Sequence, residues 1–275
     1  MTARRPGPTV RTRVREFDEK AEREREDRLA TEEPLEIRLA WPGAAARRVW
    51  VTMRTPGHDF ELAAGWLRHE GIVEAGAAIR GVAYCTDEAL TAEQEFNVVT
   101  VTLAGPPARD PGHRHDAASS GSSACGVCGK DSVAAVLDVP RGERWAGPVP
   151  PPEVVRTLPD RLGEQQQVFT RTGGVHAAAL VDADGVVLVG REDIGRHNAV
   201  DKVTGARILG AAPEAGACLV VSGRAGFELV QKAVAAGTGS LVAVGAPSSL
   251  SVRLAEEAGL VLYGFVSADR CVRYA

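Results

Sequence analysis

Long hydrophobic runs are missing from this chain. No window approaches the roughly 18 consecutive apolar residues of a membrane-spanning helix, which excludes an integral helical membrane protein. The N-terminal stretch is basic and proline-containing, without the apolar core of a secretory signal. A strong field of one sign is missing too. The net charge is −4 over 275 residues, so nothing in the overall balance argues for a nucleic-acid partner. Cysteine is sparse and odd in number, with 5 residues. An odd count without a signal argues against a disulfide framework. The expectation is a cytoplasmic protein whose cysteines remain thiols.

What is present permits a sizeable core: 44% hydrophobic and 25% charged residues are ordinary globular values. Residues 1–33 are polar, and the mixed-charge run from Glu16 to Arg28 reads as a solvated tail or an exposed helix. From Pro34 the pattern changes. Leu35–Leu39 and Arg48–Met53 alternate at period two as half-buried strands do. Asp59 can cap a helix over Phe60–Glu70, and Ile79–Tyr84 and Asn97–Leu103 read as further strands. Residues 34–104 therefore predict a small α+β domain. Residues 105–152 form a connection rich in Pro, Gly and Ser. Residues 153–275 alternate strand and helix, with a hairpin turn at Asp182–Gly185, and predict a layered α/β domain with ligand sites at strand ends.

Three groups of residues carry chemistry. The first is Cys125-Gly-Val-Cys128, followed by Lys130 and preceded by a polar, glycine-rich approach. Two thiols at this spacing can exchange electrons, bind metal or pass sulfur as a persulfide. With His113 and His115 upstream they could instead form a zinc knuckle. A dithiol oxidoreductase is the other alternative, although such pairs usually open a helix after a strand. The second group is Arg191–Lys202, with Asp193, Arg196, His197, Asn198 and Asp201 in one short run. At helical spacing His197 and Asp201 share a face, as do Asn198 and Lys202. Ion pairs on a capped helix explain such a run about as well as a polar-ligand site. The third is Ser222-Gly-Arg-Ala-Gly226 between a strand and a helix, where backbone amides and Arg224 could hold a phosphate. Its glycine spacing is neither a Walker loop nor a dinucleotide fingerprint. Ala246–Leu250 is a second such junction and reads as a simple N-cap. Cys85, Cys218 and Cys271 are isolated and read as packing residues.

Taken together these motifs resemble the FdhD family of formate dehydrogenase accessory sulfurtransferases. The matching stretches are Met53–Ala63, Cys125–Gly129, Thr172–Ala177, Arg191–Lys202, Ser222–Lys232 and Ala246–Leu250, in family order. The resemblance implies a sulfur carrier that takes sulfur from a cysteine desulfurase as a persulfide on Cys125, with Cys128 assisting. It implies delivery to the molybdenum cofactor before that cofactor enters formate dehydrogenase. The cargo would be molybdenum bis(molybdopterin guanine dinucleotide), and no catalytic metal would belong to the protein itself. A cofactor-binding stretch falls on Phe265, Val266, Ser267, Ala268, Asp269 and Arg270, with Arg191, Asp193, Arg196, His197 and Arg224 as further pocket candidates. A homodimer is implied as well. The C-terminal half also resembles the cytidine deaminase fold, without the deaminase zinc ligands: His197-Asn-Ala199 lacks the glutamate and Ser222–Gly226 lacks the cysteines.

Overall fold

The computed structural model describes residues 5–19, 21–86, 91, 94–110, 140–210 and 216–275. Cys125, Cys128, His113, His115 and the helix expected over 131–137 lie outside the described residues.

The first element departs from expectation. The polar N-terminal run is neither a tail nor a helix but a two-stranded antiparallel ribbon, β1 (Thr9–Phe17) and β2 (Glu22–Ala30). Charge rather than apolar alternation sets its register: Arg13 faces Glu26, Arg15 faces Glu24 and Glu16 faces Arg23. Opposite charges directly across a ladder stabilise it modestly. An isolated hairpin is marginal in water, and β2 runs against a later short helix, Gln167–Thr172.

The α+β unit follows as expected. Strands β3 (Glu33–Trp41), β4 (Ala44–Arg54), β5 (Ile79–Tyr84) and β6 (Val98–Leu103) form a sheet in the order β4-β3-β6-β5. Leu35, Ile37 and Leu39 alternate onto its inner face with Val99, Val101 and Leu103. Helix α1 (Asp59–His69) buries Leu62, Ala63, Trp66 and Leu67 there, and Trp66 stacks on Trp50 with ring centroids 4.7 Å apart. The helix starts one residue earlier than expected. His58, in the left-handed region at φ 58°, takes the cap position, and Asp59 becomes the first helical residue.

The larger unit begins with short helices α2 (Pro152–Val155), α3 (Leu158–Gly163) and α4 (Gln167–Thr172). Its sheet contains β7 (His176–Val181), β8 (Val187–Asp193), β9 (Gly216–Val221), β10 (Thr238–Ala243), β11 (Val261–Ser267) and β12 (Arg270–Arg273). The order is β12-β11-β10-β9-β7-β8, with β9, β10 and β11 parallel. The intervening helices are α5 (Arg196–Leu209), α6 (Phe227–Ala235) and α7 (Ser249–Ala258). Period-two alternation splits the sheet between two cores. Ala178, Leu180, Leu219 and Val221 face α5, α6 and α7, whereas Ala177, Ala179, Cys218 and Val220 face α2 and α3. Among the described residues this is a mixed α/β architecture with three sheets. Among the described residues, no helix is long and apolar enough to cross a membrane.

The two units meet through α1 and α5, which cross at glycines. A Cβ on Gly205 would overlap the Glu61 carbonyl oxygen, and one on Gly65 would overlap the Asp201 carbonyl oxygen. Gly205→Ala should therefore destabilise the protein by at least about 1–3 kcal/mol, the cost of overpacking a rigid contact. Gly163→Ala, where a Cβ meets nothing within 4 Å, serves as control. Thermal unfolding should show a lowered midpoint for the first substitution and none for the second.

Candidate functional site

Two of the sequence motifs converge on the layer between the units, and there they are structural. Arg54, at the end of β4, is fully buried and bonds both carboxylate oxygens of Asp59, at 3.1 and 3.0 Å. It also donates to the Asn97 Oδ1 at 2.9 Å and the Phe96 carbonyl at 3.2 Å. Asp59 further accepts from the Tyr84 hydroxyl at 2.9 Å. Asp193, buried at the end of β8, pairs with Lys202 at 2.7 Å and accepts from the Thr55, Gly195 and Asn198 nitrogens. Lys202 also donates to the Thr55 carbonyl at 2.9 Å. Asn198 and Lys202 thus share a helix face, as their spacing predicts, and that face closes on the other unit. Arg191 grips Glu61 of α1 through two bonds of 2.5 and 2.7 Å. Burial alone would raise the Glu61 carboxyl, but Arg191 and His58 hold it down to about 2.

A second buried cluster bolts α1, α5 and α6 together. Asp201 Oδ1 lies 2.5 Å from His69 Nδ1 and 2.6 Å from Lys232 Nζ. Burial works to raise the Asp201 carboxyl, yet Lys232 and His69 keep it below its ordinary value. His69 is pushed down to about 4 by burial and then by Lys232. His197, one turn before Asp201, is pushed down to about 3 by burial, Lys232 and Arg196. Both imidazoles are neutral at physiological pH.

The foot of α1 also holds both flanks of the cysteine-bearing segment. Gly71, at φ +69°, is the residue on which they meet: a Cβ there would lie 3.1 Å from Pro140 Cγ and 4.0 Å from Arg109 Cδ. Ala108 N donates to the Ile72 carbonyl at 3.0 Å. Downstream, the return strap is pinned where Arg144 donates to the Gly259 carbonyl at 3.1 Å.

The remaining candidates form a cleft of about 380 Å³ at the carboxyl ends of β9 and β10. Arg196, Arg224, Gly226, Phe227, Glu228, Pro247 and Ser248 line it. The two strand-to-helix junctions are zipped together, since Ala225 N donates to the Ala246 carbonyl and Ser248 N to the Ala225 carbonyl. The Ser248 side chain caps α7, as expected, accepting from Ser251 N. The first amides of α6 have no side-chain cap. Uncapped amides at the carboxyl edge of a parallel sheet, with two arginines beside them, suit an anion. His176 lies beside Gly223 and Arg196, its imidazole lowered by burial and by Arg196.

The C-terminal stretch adjoins this cleft. Gly245 N donates to the Gly223 carbonyl, and Phe265 N to the Gly245 carbonyl. Phe265 adopts a positive φ of 49° and is 44% exposed. The Arg270 guanidinium lies 5.3 Å from its ring centroid, within cation–π range. Ser267, Ala268, Asp269 and Arg270 are exposed around the β11–β12 turn. Val266 alternates to the other face and is buried, packing in the core beside α2 and α3. Of the pocket candidates, Arg196 and Arg224 reach the cleft. Arg191 and Asp193 are consumed in the interlayer pairs, and His197 lies buried beneath the cleft. Sequence reading gives no site role to Arg54, Asp59, Glu61, His69, Glu228 and Lys232, although all but His69 fall within the matched stretches Met53–Ala63 and Ser222–Lys232 and Asp59 reads as a helix cap.

Comparison with known proteins places this architecture. The fold matches the crystal structure of a protein assigned as a formate dehydrogenase accessory protein from Desulfotalea psychrophila. The TM-score is 0.75 over 97% of each chain, at 21% sequence identity. Residues 30–275 match the FdhD/NarQ family, and the chain belongs to that family. Relatives named sulfur carrier protein FdhD include one from Streptomyces coelicolor, 45% identical over 97% of this chain and 94% of that protein. Another, from Mycolicibacterium paratuberculosis, is 48% identical over 89% of each.

Two predictions follow from the buried charges. Lys202→Met leaves Asp193 buried without its cation and should cost roughly 3–5 kcal/mol, read as a lowered denaturant midpoint. The imidazoles give a pH signature. The unfolded state takes up protons near pH 6.5, while folded His69 and His197 resist until about 4 and about 3. Stability must then fall as pH drops below 6.5. Glu61 adds its loss only below the ordinary carboxylate value of 4.5. His197→Gln should flatten the stability slope between pH 6.5 and 4 by about one proton; an unchanged slope contradicts the assignment.

Proposed function

We propose that this protein is a sulfur carrier required for formate dehydrogenase activity. It accepts sulfur from a cysteine desulfurase as a persulfide on Cys125 and passes it to the molybdenum cofactor before insertion into the enzyme. Family membership supports the role. The observation that carries the reading is the cleft, where, among the described residues, Arg196 and Arg224 have no acidic partner and exposed Phe265 and Arg270 stand close by. Such a surface suits the phosphates and bases of a dinucleotide cargo, here molybdenum bis(molybdopterin guanine dinucleotide).

The chemistry balances with the two thiols. The Cys125 thiolate attacks the outer sulfur of the donor's persulfide. A new S–S bond forms on Cys125, and the donor leaves as a thiolate. On release, the Cys128 thiolate attacks the Cys125 sulfur. The outer sulfur departs as hydrosulfide with the bonding pair, and a Cys125–Cys128 disulfide remains for an external thiol to reduce. The reading places the protein in the cytoplasm, as a homodimer built on a cytidine deaminase-like scaffold.

Two substitutions test it. Cys125→Ala should abolish formate dehydrogenase maturation in cells while leaving the thermal midpoint unchanged; normal maturation contradicts the role. Arg270→Ala should weaken cofactor binding about tenfold, the loss of one charge-assisted contact. Stoichiometric zinc lost on substituting His113, His115, Cys125 and Cys128 would favour a metal-binding interaction module instead. Catalytic dithiol turnover without persulfide would favour an oxidoreductase.

A further inference from the structure

The cleft holds charges of both signs that do not meet. In the interlayer network the buried charges find partners: Arg54 with Asp59, Lys202 with Asp193, Lys232 with Asp201. In the cleft, Arg196, Arg224 and Glu228 share one wall, yet among the described residues neither arginine pairs with Glu228 or with any other acid. The basic side chain facing Glu228 is His197, whose Nε2 lies 4.0 Å from the carboxylate oxygen. That nitrogen is buried and, among the described residues, has no hydrogen-bond partner. The imidazole is neutral, so it does not cancel the carboxylate.

An acid in the first turn of α6 is favoured by the helix dipole. That accounts for a carboxylate at the end of the helix. It does not account for one set among unneutralised arginines where an anion is to bind. A cleft that keeps both signs open suits a ligand that is anionic at one end and offers hydrogen-bond donors at the other. A carboxylate has two acceptor oxygens and engages paired N–H donors through two bonds. Guanine presents such a pair in N1–H and its exocyclic amine. Hypoxanthine offers N1–H alone, and adenine offers an acceptor at N1.

We propose that Glu228 is the specificity-determining residue of this cleft. Arg196 and Arg224 take phosphate, and Glu228 reads the donor edge of a guanine base. His197 acts on Glu228 as a positioning residue, since a small shift brings its Nε2 within hydrogen-bond reach of the carboxylate. The inference rests on the guanine-dinucleotide reading of the cleft given above, and adds to it the residue that reads the base.

Titration calorimetry of the full chain with GDP, IDP, ADP and inorganic pyrophosphate separates the two. Wild type should bind GDP at least about tenfold tighter than IDP or ADP, the lower end of what a bidentate base contact gives. Glu228→Gln should bind GDP no better than IDP, with pyrophosphate affinity unchanged, which also shows that the cleft is intact. GDP preference retained in Glu228→Gln overturns the role of Glu228 while leaving the nucleotide reading standing. Failure of wild type to bind any of the four overturns the nucleotide reading, and this inference with it.

Discussion

The contact on which the rest of the molecule depends is the backbone crossing of α1 and α5. Gly65 and Gly205 let the two helices meet without side chains between them, and each presses on a carbonyl of the other helix. At that separation the flanking polar residues are wholly or largely screened from solvent. They must be paired across the joint or they destabilise it. Glu61 meets Arg191, His69 meets Asp201, and Asp193 meets Lys202 and the Thr55 backbone. Two sheets that share no strand are thereby held as one body.

Charge is then distributed by purpose. Inside the joint the principal acids and bases are matched, and their value lies in fixing geometry rather than in net stabilisation. The cleft at the carboxyl ends of β9 and β10 is the opposite case: among the described residues its arginines and its carboxylate are not paired with one another. Helix α6 connects the two. Its first turn lines the cleft, and its Lys232 is bonded into the joint beside His69. Two residues beyond His69, Gly71 receives both flanks of the cysteine-bearing segment. One short helix therefore separates the proposed cargo site from the foot of the cysteine-bearing segment.

Much of this was legible in the sequence. Apolar alternation placed β3 and β4, β5 and β6 fell where they were read, and the strand–helix alternation of residues 153–275 and the Asp182–Gly185 turn formed as their sequence dictates. The N-terminal ribbon was not legible, because its period of two is written in charge: Arg11, Arg13 and Arg15 on one strand, Glu22, Glu24 and Glu26 on the other. A scan for apolar periodicity passes over it. For the site, Arg196 and Arg224 were recognisable from their junctions. Arg191 and Asp193 looked the same in sequence and proved structural. What separates the two pairs is the partner, and those partners, Glu61 and Lys202, come from tertiary packing that spacing alone does not reveal. Val266 shows the same limit at smaller scale. It sits in a stretch read as ligand-binding, but strand alternation turns its side chain into the core.

The central claim is that sulfur travels on Cys125. The most direct measurement is intact mass under non-reducing conditions after incubation with a cysteine desulfurase and cysteine, for wild type and Cys125→Ala side by side. The account predicts added sulfur on wild type, removed by reductant and absent from the variant. Wild type that stays at its unmodified mass with an active donor, or a variant that gains sulfur equally, would contradict it.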